Sequence, residues 1–155
     1  MSDTRRIAAV VLLLGLSTCF LPLFSVSPPA LGKTEWSAWD ILKLIASGPN
    51  PVEWLLQTRI IRLWAVYAAL ASGLLLLWLP QYLKAVSICT IVSLWLILRY
   101  GSDPYSISRI LKRQAGWHEG TLIANPEAYV LPALLVFLLF VLAIELKIRP
   151  RPGEP

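Results

Sequence analysis

Apolar positions along the chain gather into four long runs, residues 7–24, 60–79, 82–98 and 129–146, parted by polar connections. A helix needs about 20 consecutive apolar residues to cross a hydrocarbon core of about 30 Å, and each run comes close to that length. The pattern predicts an all-α membrane protein, a four-helix transmembrane bundle forming one integral membrane domain over residues 1–155. Two outer loops, residues 25–59 and 99–128, and a tight turn at 80–81 would join the spans.

The connections carry local signals of their own. Residues 24–27 and 33–36 flank Pro28-Pro29-Ala30-Leu31-Gly32, which predicts a small extended hairpin. Ser37-Ala38-Trp39-Asp40 has the spacing of a capping box, with Asp40 in place of the usual Glu or Gln. The helix it opens, 38–47, sets Asp40, Lys43 and Ser47 on one stripe and Trp39, Leu42, Ile45 and Ala46 on another. Such a helix suits the membrane surface or the top of the bundle.

Asn50-Pro51-Val52-Glu53 is a second helix start, with a cap residue, a proline at the first helical position and an acid in the first turn. A helix from 51 to 79 would be about 43 Å long and would project past the lipid, setting Arg59 and Arg62 at head-group level. Asn125-Pro126-Glu127 opens the fourth span by the same device. Between them, residues 106–113 place Ile107, Ile110 and Leu111 on one face and Arg109, Lys112 and Arg113 elsewhere. That is the pattern of a short interfacial helix resting on anionic head groups.

Composition supports a lipid solvent. Apolar residues make up 57% of the chain and charged residues 15%, against about 45–50% and about 25% in soluble domains. The basic start Arg5-Arg6 and the Leu16-Ser17-Thr18-Cys19 stretch outline a removable lipoprotein signal. Thr18 is bulky for that cleavage position and the apolar run continues to Phe24, so a retained span is expected. Cys19 and Cys89 both lie within apolar runs, where thiols act as small packing groups.

Cations set the orientation. Arg5, Arg6, Lys84, Lys147, Arg149 and Arg151 fall on the side of the termini, and Lys33, Lys43, Arg59, Arg62, Arg99, Arg109, Lys112 and Arg113 on the other. Density favours cytoplasmic termini, while the raw count opposes it. Trp78 and Tyr82 flank the Pro80-Gln81 turn, and Trp64, Trp95, Tyr100 and Tyr129 sit near the opposite interface, as belt aromatics do.

Packing signals lie inside the spans. Ala65, Ala69 and Gly73 recur every fourth residue and would let helix backbones approach closely. Ser87, Thr90 and Ser93 form a hydroxyl stripe able to bond the preceding turn or a neighbouring helix. No ionisable residue occupies the middle of any run, which argues against a proton relay or ion pathway. His118, beside Glu119, is the single histidine, and no spacing for a zinc site or paired haem ligands accompanies it. No catalytic residue, metal or cofactor is therefore expected. The basic residues belong to the membrane surface, not to a separate domain, which disfavours nucleic acid.

Leu21-Pro22-Leu23-Phe24-Ser25-Val26 and Ser37-Ala38-Trp39-Asp40-Ile41-Leu42 resemble a loose group of bacterial four-span membrane proteins. In these the first span ends in a Leu-Pro-Trp-like step and leads to a Ser-Gly-Trp-Asp-Leu-like helix start. The chain departs from that pattern at Leu23, where an aromatic is usual, and at Ala38, where glycine is usual. The resemblance implies a bacterial inner-membrane protein of similar topology and brings no activity or site residue with it. The functional expectation is a non-enzymatic accessory or assembly subunit that associates with another membrane protein or with itself. The alternative is binding or movement of an anionic phospholipid or lipid-linked substrate at the outer leaflet, through Arg59, Arg62, Arg99, Arg109, Lys112 and Arg113.

Overall fold

The computed structural model describes residues 3–48, 50–51, 60–100, 104–118 and 120–148. Helix α1 (Asp3–Ser17) passes through a 3-10 turn (Thr18–Phe20) into strands β1 (Pro22–Ala30) and β2 (Lys33–Ser37), followed by α2 (Ala38–Ser47). Helices α3 (Ile60–Leu76), α4 (Tyr82–Tyr100) and α5 (Pro104–Gln114) come next. Strand β3 (Thr121–Ala124), a second 3-10 turn (Pro126–Tyr129) and α6 (Val130–Ile148) complete the order.

The long helices form a four-cornered bundle. Both α1 and α4 pack on α3 and on α6, which puts α1 and α4 at opposite corners. The Thr4 hydroxyl donates to the Glu145 carboxylate at 3.0 Å, so the start of α1 lies beside the end of α6. The Arg5 guanidinium sits 4.3 Å above the Tyr82 ring, which brings the turn between α3 and α4 to that same end. The strands, α2 and α5 gather at the opposite end.

Two helical segments, Tyr82–Arg99 and Pro126–Lys147, are long and apolar enough to cross a membrane by themselves. The first run does not stay helical through residue 24. Pro22 has no amide to extend the ladder, and Leu21 before it is already extended at φ −72° and ψ 148°. Leu23 and Phe24 are thereby handed to β1, where both are buried. The second run also ends early, at Leu76, ahead of Pro80. Of the helix start expected at 50–53, Pro51 is helical, and residues 52–59, Arg59 among them, lie outside the described residues.

The expected hairpin is present. β1 and β2 pair antiparallel across a two-residue loop, with Ala30 opposite Lys33. Leu31 (φ 50°) and Gly32 (φ 74°) both take positive φ, as the twist-compatible type I′ loop requires. A third strand completes the sheet in the order β2-β1-β3, with Phe24 opposite Ala124 and Ser27 opposite Thr121. The described chain is therefore mostly helical but not all-α: the two outer connections are not separate loops, because β3 comes from the second and pairs with β1 of the first.

This sheet, α2 and α5 enclose a small core. Phe24, Val26, Ala30, Trp36, Ala38, Ile41, Ile45, Ile110, Leu111 and Trp117 are each no more than 5% exposed. Two expectations change here. The stripe that α2 buries is Ala38, Ile41 and Ile45, leaving Trp39 and Ala46 outside. The apolar side of α5 at Ile110 and Leu111 faces α2 and the cap interior and not a bilayer.

Candidate functional site

The cap is fastened at four points, each traceable to particular residues. The Ser37 hydroxyl accepts from the Asp40 amide at 3.1 Å, while the Ser37 amide donates to the Asp40 carboxylate at 3.0 Å. This is the reciprocal box expected at the start of α2. Lys33 adds an ammonium 2.7 Å from the same carboxylate, joining the hairpin to the helix. Partial burial would raise the Asp40 pKa, yet the Lys33 ammonium and the Ser37 amide and hydroxyl outweigh it and hold the carboxyl below its ordinary value.

The second fastening replaces the helix cap expected at Asn125. Its side chain makes no cap hydrogen bond, and a 3-10 turn precedes α6, which begins at Val130. The Asn125 amide instead donates to the Pro22 carbonyl at 2.9 Å, and its oxygen accepts from the Ser25 hydroxyl at 2.6 Å. The Asn125 backbone amide bonds the Leu23 carbonyl as well. One residue thus satisfies three groups of β1.

Trp117 is the third. Gly116 (φ 64°) reverses the chain after α5, and the Trp117 amide closes back onto the Leu111 carbonyl. The indole N–H then donates to the Pro28 carbonyl at 2.9 Å. Gly120 is the fourth, because β3 enters the sheet with that residue pressed on the Ser27 backbone and Pro28 ring, leaving no room for a Cβ.

Of the residues expected to meet anionic lipid, Arg62 starts α3 and Arg99 ends α4, both at the cap end. Arg109, Lys112 and Arg113 are exposed on α5. These positions share one end of the molecule but come from three elements. Lys43, expected on the polar stripe of α2 and not among the lipid contacts, lies 5.6 Å over the ring of Trp39. Arg99 stands over Trp95 at 5.9 Å in the same way. Both pairs are four residues apart on a helix, a spacing that sequence alone could have flagged.

The expected aromatic belts divide. Trp78, Trp95 and Tyr129 are exposed at 84%, 53% and 70%. Tyr82 is instead buried beneath Arg5, and Trp64 is half-buried and tilted against Tyr67 at 5.6 Å.

Within the bundle, Gly73 sits between Leu12 of α1 and Cys89 of α4, while Ala65 and Ala69 are half-buried on the same helix. Thr90 and Ser93 are fully buried and Ser87 partly so. Each hydroxyl donates to the carbonyl four residues back: Ser87 to Leu83, Thr90 to Val86, Ser93 to Cys89. Across the helices, Thr18 meets the Tyr67 hydroxyl at 3.4 Å. These groups are spent on the fold's own backbone and packing.

Among the described residues, those with reactive potential do not converge. His118 is exposed in the segment after α5, and Glu119 lies outside the described residues. Both cysteines are free thiols. Among the described residues no three His, Cys, Asp or Glu side chains cluster as metal ligands would. Compared with protein-family models, with curated proteins and with solved structures, the chain finds no match.

Proposed function

We propose that this chain is an integral membrane protein of a bacterial inner membrane, crossing it four times with both termini in the cytoplasm, and that it serves as a non-enzymatic accessory or assembly subunit. The outward-facing apolar surface supports the lipid solvent. Only 28% of the Tyr82–Arg99 window and 22% of the Pro126–Lys147 window are buried inside the molecule. A core helix of a water-soluble protein would be mostly covered. Ile7, Val10, Leu13 and Leu14 of α1 are likewise exposed.

The shorter helices fit the same slab. Fifteen residues of α1 rise about 22 Å and its three-residue 3-10 extension adds about 6 Å, close to the hydrocarbon thickness. The 17 residues of α3 rise about 26 Å.

The observation that carries the subunit reading is the contrast between interior and cap. The hydroxyls of Ser87, Thr90 and Ser93 turn back on their own helix and Thr18 meets Tyr67 across the bundle, so among the described residues these groups are spent on the fold itself. The cap, by contrast, is a folded unit assembled from both outer connections and held up by the four helices. Its surface is what the chain presents to a partner, another membrane protein or a second copy. Extraction in mild detergent followed by cross-linking through cysteines placed on the exposed side of α5 tests this. A persistent larger species is expected, and a lone monomer at every cross-linker length would overturn the proposal.

A further inference from the structure

Two exposed tryptophans at the cap end each carry a cation from the next helical turn. Lys43 reaches back over Trp39, and Arg99 over Trp95. Trp39 also packs at a tilt against Phe20, ring centres 5.6 Å apart, where α2 packs on the turn that ends α1. Trp95 lies near the end of α4. Because α1 and α4 hold opposite corners of the bundle, the two pairs stand on opposite corners too.

An indole prefers the zone between acyl chains and head groups, where its ring is half-shielded and its N–H stays wet. A cation lying on that ring is held at the same depth. An ammonium brings three donors and a guanidinium five, and stacking through the ring face leaves N–H groups directed to phosphate. The opposite end of the bundle is built differently: Arg5 also stacks on an aromatic ring, but Tyr82 is 1% exposed, so that pair closes the bundle and does not face outward. The basic helix α5 is the competing candidate. Its apolar residues Ile110 and Leu111 are fully buried in the cap, and so are not available to dip into a bilayer.

We infer that the Trp39–Lys43 and Trp95–Arg99 pairs anchor the cap end of the bundle to the phosphates of anionic phospholipids, one pair at each of two opposite corners. This rests on the reading that the bundle spans a bilayer. Anchors at opposite corners resist tilting in a way that one basic patch does not. Near an anionic surface each such cation favours the charged lipid on the order of five-fold.

The full-length protein is placed in lipid discs of phosphatidylcholine alone or with phosphatidylglycerol added, and its melting temperature is read in each. Phosphatidylglycerol is expected to raise the wild-type melting temperature by about 3–6 °C. K43Q/R99Q is expected to lose that rise, whereas R109Q/K112Q/R113Q keeps it. Each single variant, K43Q or R99Q, retains about half, as distant sites add. Inorganic phosphate added to phosphatidylcholine discs gives no rise. The inference is overturned by a full rise in both single variants, by loss of the rise in the α5 triple variant, by an equal effect of inorganic phosphate, or by no rise in the wild type. A protein that stays in buffer without entering the discs would instead overturn the spanning reading, and the two failures are thus distinct.

Discussion

Asn125 donates its side-chain amide to the carbonyl of Pro22, 103 residues earlier, at 2.9 Å. The bond joins the approach to the last long helix to the first residue of the sheet's middle strand. With the Ser25 hydroxyl and the Leu23 carbonyl also satisfied by Asn125, one residue makes three polar ties where the two halves of the cap meet.

Replacing that residue should loosen the cap first. Asn125→Ala strands the Pro22 carbonyl and the Ser25 hydroxyl, at a cost of about 1–3 kcal/mol. Asn125→Asp keeps an acceptor for Ser25 and loses the donor, so it should fall between the two. Limited proteolysis after α5 reads the effect: cleavage should accelerate in the order wild type, Asp, Ala, and equal rates would refute the assignment.

Gly120 should tolerate no side chain. A methyl there would stand 2.8 Å from both the Ser27 carbonyl carbon and Pro28 Cδ. Backbone cannot swing aside as a side chain can, so Gly120→Ala should cost about 1–3 kcal/mol or separate β3 from β1. Gly48→Ala is the matched control. It meets only the end of the Gln114 side chain, which can rotate away, and should cost less. Thermal unfolding of the two variants side by side decides the point.

The Lys33–Asp40–Ser37 cluster should make the cap sensitive to acid. Asp40 titrates below its ordinary value in the fold, so on acidification the unfolded chain takes up the proton first. The contribution of this group is complete above the ordinary carboxylate pKa and is lost as the pH falls through the lower, folded value. Between about pH 7 and about pH 3 the wild type should therefore lose more stability than Asp40→Asn, which starts lower and has no such carboxylate to titrate. Parallel acid limbs for the two proteins would remove the cluster from the account.

Gly73 separates two kinds of bundle packing. A Cβ there would lie 3.5 Å from the Cys89 Cβ and 3.6 Å from a Leu12 methyl, ordinary contact distances. Gly73→Ala should be neutral or mildly stabilising, since alanine also favours the helix by about 1 kcal/mol. Gly73→Leu must push α1 or α4 away and should lower the melting temperature in detergent. A tolerated leucine would mean that the helices do not meet there.

What the sequence announces and what it hides follow from the range of the forces involved. Ser37 and Asp40 are three residues apart, and Leu31-Gly32 closes its own hairpin, so neighbours alone set both. β3 has only four residues, Thr121–Ala124, and its strand character depends on Phe24 to Ser27 lying alongside. Asn125 before Pro126 carries the ordinary marks of a helix cap, and the same amide is diverted because β1 arrives within reach. On α5 the periodicity correctly gives a helix with Ile110 and Leu111 on one side, but an apolar face is equally served by lipid or by a protein core. Only the placement of α2 decides which. The four-residue spacing of Trp39 and Lys43 is legible in the sequence, but that the ring faces outward beneath its cation is set by the burial of Ala38, Ile41 and Ile45 in the cap.

The middle strand has its partners in two very different places along the chain. β2 follows it after a two-residue loop, whereas β3 is made only after α3, α4 and α5. During synthesis the nascent hairpin must therefore wait with one edge open while the three intervening helices are made. Completion of the cap becomes a late checkpoint: it reports that the intervening helices have returned Thr121–Ala124 to the hairpin's end of the bundle, and a chain that left those residues at the other end could never close its sheet.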